Sequence, residues 1–218
     1  AEQALTMLEQ LPASPTHGLL RAQLLLEKGG LQWHGSLLGS AFTLQEALAS
    51  LEAAKAALPD NVPPEVVEQL AAVTAGVCYD VGDRDALQRA LAELQESSHR
   101  LVQAGAMLPA ARLLNDQAAI YMRLGDLVRA TYLLSQAHER FESHLRQHPD
   151  DAIALEELAG TEHLLARLPL HVQVPPGREE ESYVRGLVHA RAAEYIYQRL
   201  GQQRPLTRVW ETTGRLAL

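Results

Sequence analysis

Apolar residues recur three and four positions apart along nearly the whole chain, which is the pattern of amphipathic α-helices. Ala and Leu dominate the apolar positions, and both are strong helix formers. Alternating runs of β-branched residues, which would indicate strands, are missing. The pattern predicts an all-α protein of about ten helices, over roughly 2–11, 17–28, 43–58, 63–80, 83–103, 107–124, 127–147, 150–168, 179–200 and from 206 onward.

Local signals set several of the predicted boundaries. Thr43 and Glu46 form a capping box, in which each side chain binds a free backbone N–H of the other. Gly29-Gly30 is expected to stop the second helix, because glycine often follows a helix end. The segment 31–42, which contains Trp33, is then irregular, and we favour Trp33 as a plug of a hairpin end over a binding anchor. Three prolines predict an extended linker over 169–177.

The clearest internal repeat lies around Gly125, where Leu114, Ala118, Tyr121, Gly125, Ala130, Leu134 and Ala137 recur at spacings that resemble a tetratricopeptide repeat. Small residues at 118 and 130 would let two helices approach closely, and Tyr121 would fill the gap to the next hairpin. The resemblance fades around Gly82 and Gly201. The turn glycines are also spaced more widely than the family's usual period of about 34 residues.

This resemblance implies a superhelical α-solenoid of antiparallel helical hairpins, forming a single repeat domain over 1–218. Both ends fall on amphipathic stretches, so we expect a fragment of a longer protein. Long-period arrays of this style are similar to the C-terminal sensor arrays of bacterial signal-transduction ATPases and transcriptional activators. The implied function is a non-catalytic interaction or sensor module that binds on the concave face. The alternative is a scaffold that holds an extended peptide or another subunit without sensing.

Candidate binding residues follow from the expected concave face, which the first helix of each hairpin lines in such stacks. Tyr, Arg, Asn and Met at positions belonging to neither the core nor the turns are of the kinds that anchor interfaces. The predicted site residues are Tyr79, Arg112, Asn115, Met122, Arg123, Arg191 and Tyr195.

The net charge and the cysteine content limit which kinds of partner and which cellular compartment we expect. The net charge is −8, which disfavours direct contact with nucleic acid. The single cysteine, Cys78, lies in a helical apolar pattern and is expected to be a packed core thiol in a reducing, cytoplasmic compartment. No apolar run is long enough to span a membrane. The expected partner is a protein or peptide, with a small-molecule inducer and self-association left open.

Catalytic and metal chemistry find little support in the sequence. His144 and His148 are one turn apart and His138 lies nearby, but no further ligands complete a zinc site. His163 with Glu157 and Glu162 could be taken for acid–base groups, yet helices rich in Glu produce such pairs by chance. Motifs for phosphate binding or nucleophilic catalysis are missing. We therefore expect no enzymatic activity, no metal and no cofactor.

Overall fold

The computed structural model describes residues 2–9, 14–171 and 178–217, and over these residues the protein is all-α, as predicted. Most of the predicted extended linker, from 172 to 177, lies outside the described residues, and its described start is not extended, since Pro169 and Leu170 belong to a 3-10 turn. The helices are α1 (Glu2–Glu9), α2 (Pro15–Leu37), α3 (Leu44–Ala57), α4 (Pro64–Val81), α5 (Arg84–Gln103), α6 (Met107–Leu124), α7 (Leu127–Leu145), α8 (Ala152–Arg167), a 3-10 turn η1 (Leu168–Leu170), α9 (Glu179–Leu200) and α10 (Gln203–Leu216).

The chain divides into two compact units, Ala1–Pro109 and Ala110–Leu218. In the first unit α2 packs on α3, α3 on α4, and α4 on α5. In the second unit α7 packs on α8, α8 on α9, and α9 on α10. In these pairs, helices that are neighbours in sequence are neighbours in space, which is the local arrangement of an α-solenoid.

The two units differ in the composition of their cores. Among the described residues of the first unit, leucines and alanines are buried in equal number, and Leu26, Leu51 and Leu70 belong to one cluster with Ala47, Ala54 and Val77. In the second unit buried alanines outnumber leucines, and one cluster consists of Ala159, Ala166, Ala190, Ala193, Tyr197, Leu206 and Val209.

The predicted stop at Gly29-Gly30 is wrong, since α2 continues without interruption to Leu37. Gly29 is buried, and a Cβ on it would lie 2.8 Å from Cγ of Leu51 in α3. The glycine therefore serves the close packing of α2 on α3 and not the end of a helix. Trp33 consequently lies on α2, packs against Gly76 of α4, and donates from Nε1 to Oδ2 of Asp80 at 2.7 Å.

Other boundaries agree with the sequence. The Thr43–Glu46 capping box is present, with both reciprocal hydrogen bonds. The turn glycines Gly82 and Gly201 follow their helices with φ of 77° and 69°, a region that favours glycine. The last helix begins at Gln203, three residues earlier than predicted, and accommodates Pro205 in its first turn.

The repeat positions around Gly125 pack as their spacing indicates. Ala118 and Ala130 are fully buried, as are Leu134 and Ala137. Tyr121 is also buried, and the guanidinium of Arg129 on α7 lies 5.5 Å from the centroid of its ring. These small residues thus lie in the packed interior of the second unit.

Candidate functional site

Helix α9 carries two parallel rows of residues on opposite faces. Its buried row faces α8 and α10, whereas its other row is open to solvent even though most of its residues are apolar. The spacing is the same in both rows, one helical turn after another. The buried row is Gly186, Ala190, Ala193 and Tyr197, and the exposed row, called the α9 stripe below, is Val184, Val188, Arg191 and Tyr195.

The buried row fixes the position of α9 in the second unit. A Cβ on Gly186 would lie 3.0 Å from the carbonyl oxygen of Ala166, so the backbones of α8 and α9 approach closely. Tyr197 fills the other end of the row, and burial raises the pKa of its hydroxyl to about 12. Because this side of α9 is buried against the neighbouring helices, the α9 stripe faces solvent.

The α9 stripe presents large side chains. Val188 is 62% exposed and Tyr195 is 67% exposed, and Val184 is similarly open. Trp210 of α10 is 48% exposed, and its Nε1 donates to Oε1 of Glu194 at 2.7 Å. Glu194 therefore holds the Trp210 indole by a hydrogen bond, at a position where the repeat pattern expects a small residue. Exposed Tyr, Trp and Arg are residue types that dominate binding energies at interfaces.

A separate cleft of about 430 Å³ lies beside α9 in the same unit. Its apolar wall consists of Leu165, Leu168 and Pro169, from α8 and η1. Its polar lining is a row at helical spacing that is turned away from the α9 stripe and consists of the N-cap residue Arg178 and the α9 residues Ser182, Arg185 and His189. A cleft of this volume is in the range of small-molecule sites.

The cleft adjoins a buried carboxylate on α8. Glu162 is only 7% exposed and lies between two histidines, 2.8 Å from Nε2 of His138 on α7 and 2.6 Å from Nδ1 of His189 on α9. Burial by itself would raise the pKa of Glu162, but the two histidine hydrogen bonds outweigh it and lower the pKa to about 2. The hydrogen bond to Glu162 likewise raises the pKa of His138. This cluster, called the Glu162 bridge below, joins α7, α8 and α9.

Two of the sequence-predicted site residues, Arg191 and Tyr195, lie together on the α9 stripe. Asn115 and Met122 were expected on an open face and are instead buried, at 7% and 5% exposure. Their predicted exposure is wrong because α6 is covered on more than one side. Asn115, for example, accepts a hydrogen bond at 3.0 Å from Thr161 of α8.

The remaining predicted residues are dispersed. Arg112 is partly buried and lies 3.4 Å from the carboxylate of Glu157 on α8. Arg123 is exposed near the end of α6. Tyr79 is partly buried on α4, in the first unit. The structure therefore unites only Arg191 and Tyr195 of the predicted set.

Sequence reasoning missed Val184, Val188, Trp210 and His189. The valines occur at the same spacing as core residues, so their pattern alone does not distinguish a solvent-facing row from a buried one. His189 is seven positions from Ser182 and four from Arg185, a polar row on an otherwise mixed helix. That row was the available signal for the cleft.

The structure gives no support to a metal site among the described residues, where no group of three ligating side chains converges. The rings of His144 and His148 are close, with centroids 4.7 Å apart. Nε2 of His144, in the last turn of α7, lies 2.8 Å from Oδ2 of Asp151, the N-cap residue of α8. Cys78 is buried, and burial raises the pKa of its thiol. No described helix is both long enough and apolar enough to cross a membrane.

Comparisons with known proteins add little to the geometry. No protein-family model matches the chain, and no curated protein matches it. Among solved structures, the chain is similar to a de novo designed helical repeat protein at 19% identity, over 94% of this chain and 93% of that one, with a TM-score of 0.28. A TM-score of this size does not define a shared fold, so the fold described here follows from the helices themselves.

Proposed function

We propose that this chain is a non-catalytic binding module of the tetratricopeptide-like kind, and that it recognises a protein partner through the α9 stripe and the neighbouring Trp210. The observation that carries the proposal is the row of large apolar side chains on the face of α9 opposite its packed face. Exposed single hydrophobic residues are ordinary on protein surfaces, whereas neighbouring ones that form a contiguous patch are typical of interaction sites, and the alignment of the α9 stripe supports such a site.

The chemistry of the row supports protein recognition. Tyr195, Trp210 and Arg191 can supply the central contacts, because each combines a large contact area with a polar group. Val184 and Val188 extend the apolar area by two turns of helix. The rigid packing of the opposite face means that little order has to be gained on binding, which favours affinity.

A regulatory role within a larger signalling protein is part of the proposal, and the cleft beside α9 favours it. A module that only holds a partner needs the exposed row alone, whereas a sensor needs a second site for a signal. The cleft lies on the same helix as the α9 stripe but on a different face. A pure scaffold, with no sensing, is the competing function and needs no occupant in the cleft.

The proposal is tested by site-specific photo-crosslinking. A photoreactive residue is placed at Val188, and at the exposed His99 of α5 as a matched control, and each purified protein is irradiated in extract of the source organism. We expect one dominant adduct from position 188 that is absent from position 99. A partner identified in this way is then titrated against the wild type, Val188→Asp, Tyr195→Ala and His99→Ala.

Val188→Asp and Tyr195→Ala are expected to weaken the partner's affinity by about 30-fold, the loss of one interface hot spot of about 2 kcal/mol. His99→Ala should leave the affinity unchanged. Circular dichroism checks that each variant remains helical. Equal crosslinking from both positions, or wild-type affinity in both stripe variants, would show that the α9 stripe is not the binding surface.

A further inference from the structure

We propose that the cleft beside α9 binds an amphipathic organic anion that also carries a hydrogen-bond donor, such as a hydroxyl. In this site Arg178 and Arg185 attract the anionic group, Leu165, Leu168 and Pro169 receive the apolar body, and His189 accepts from the donor. The inference is independent of the α9 stripe, because the two surfaces are separate faces of the helix.

The geometry of the cleft provides the first argument. Arg178, the N-cap residue of α9, and Ser182, Arg185 and His189 of α9 follow one another at turns of about 5.4 Å and all line the cleft. The lining residues from other elements are Leu165, Leu168 and Pro169, together with Thr131 of α7. A molecule in the cleft therefore meets polar groups from α9 and a mostly apolar surface from the other elements, which suits an amphipathic organic acid.

The orientation of His189 provides the second argument. Glu162 is ionised at neutral pH, since its pKa is about 2, and a carboxylate can only accept hydrogen bonds. Nδ1 of His189 therefore carries the proton that is shared with Glu162 at 2.6 Å. When the ring is neutral this leaves Nε2 as an acceptor, and no side chain in the described part of the chain donates to it. The His189 side chain is 37% exposed and lines the cleft, so a hydroxyl or an N–H of a ligand can donate to Nε2.

The charge of the lining provides the third argument. The chain as a whole is acidic, at −8, yet the lining of the cleft includes two arginines and one acid, Glu181. Glu181 forms an ion pair with Arg185. Arg178 has no ion pair with a described residue, so its guanidinium is available to an anion. Ser182 adds a hydroxyl between the two arginines.

The test compares three matched probes by shifts of backbone amide signals in ¹H–¹⁵N spectra of the whole chain. The probe 4-hydroxyphenylacetate carries the donor and the anion, 4-methylphenylacetate lacks the donor, and 4-hydroxyphenylacetamide lacks the charge. We expect 4-hydroxyphenylacetate to bind in the millimolar range, about tenfold more tightly than either of the others. The shifted signals should come from residues around the cleft.

Two variants assign the preference to His189. In His189→Phe the preference for the hydroxyl over the methyl probe should disappear, and in His189→Gln, which restores an acceptor, it should return in part. This ratio of affinities is insensitive to a general loss of stability, and Val188→Ala serves as a control outside the cleft. Equal binding of all three probes to the wild type, absence of binding, or an unchanged preference in His189→Phe would overturn the proposal.

Discussion

Partly buried histidines in the second unit affect the free energy of unfolding in opposite ways as the pH changes. The Glu162 bridge places a carboxylate in a buried position, where loss of hydration costs free energy that the two histidine hydrogen bonds offset. The next residue along the chain, His163, is also partly buried and lies 2.9 Å from the hydroxyl of Thr212 on α10. Burial, assisted by Arg167 and Arg208, lowers the pKa of His163 to about 4.

The lowered pKa of His163 predicts a loss of stability in mild acid. The unfolded chain takes up a proton on this histidine below about pH 6.5, whereas the folded chain does so only near pH 4. Its contribution is therefore complete above pH 6.5 and is lost as the pH falls toward 4. Allowing for screening at a partly exposed side chain, we expect it to remove about 1–2 kcal/mol of unfolding free energy by pH 5.

Urea unfolding of the wild type and His163→Gln at pH 7.5 and pH 5 measures this effect. The glutamine variant should lose less stability than the wild type between the two pH values, by the amount given above. Taking the difference between the two proteins cancels the opposite contribution of His138, which is complete below pH 6.5 and is lost as the pH rises through its raised folded pKa. The contribution of Glu162 is lost only between about pH 4.5 and 2. An identical pH dependence in both proteins would contradict the burial of His163.

At the scale of helices, the adjacent glycines of α2 have different surroundings. A Cβ on Gly29 would lie 2.8 Å from the fully buried side chain of Leu51 and 3.2 Å from the carbonyl oxygen of Ala47. A Cβ on Gly30 would meet nothing within 4 Å. Substitution by alanine at Gly29 therefore measures the cost of overpacking, whereas the same substitution at Gly30 measures the gain in helix propensity.

Gly29→Ala is expected to lower the unfolding free energy by about 1–2 kcal/mol, because α3 must move away from α2. Gly30→Ala, its matched control, is expected to raise it by up to about 1 kcal/mol, because alanine is the better helix former. Both values come from urea unfolding followed by far-ultraviolet circular dichroism. Equal stabilisation by the two substitutions would mean that the helices do not approach as closely as described.

The same glycines show where sequence reasoning succeeds and where it does not. The Thr43–Glu46 capping box was predictable because both of its partners lie within one turn of helix. The role of Gly29 was not, because Leu51, which requires its small size, is brought to it only by the packing of α3. Asn115 was predicted to be exposed and is buried for a similar reason, since its hydrogen-bond partner Thr161 is distant in sequence.

The candidate surfaces were predictable only in part. Arg191 and Tyr195 were found from the kinds of residue that anchor interfaces, and the structure places them on one row. Val184 and Val188 have the spacing of core residues, and only the packing of the opposite face of α9 shows that they face solvent. The pairing of His189 with Glu162 depends on two different helices and has no signal in local spacing.

At the scale of the whole molecule, acidity governs interactions with other macromolecules. The net charge is −8 and the isoelectric point is about 5.6. A polyanion is therefore repelled at neutral pH over distances up to roughly the Debye length of 8 Å at physiological salt. The two arginines of the cleft form a local exception that suits a small anion and is too confined for a duplex.

We expect no binding of double-stranded DNA at physiological salt. Fluorescence anisotropy of a labelled duplex, titrated with the chain to tens of micromolar, should stay constant at pH 7.5. A basic DNA-binding domain of similar size serves as the positive control. Saturable binding that weakens steeply with salt would indicate phosphate contacts and would contradict the charge argument.

The hydrogen bond of Trp33 to Asp80 has a practical consequence. The chain has two tryptophans, and each unit contains one of them, Trp33 in the first and Trp210 in the second. Both indoles donate to a carboxylate, so local opening that breaks either hydrogen bond should alter the fluorescence of that tryptophan. Replacing one tryptophan by phenylalanine leaves a single tryptophan, whose fluorescence then reports the unfolding of the unit that contains it.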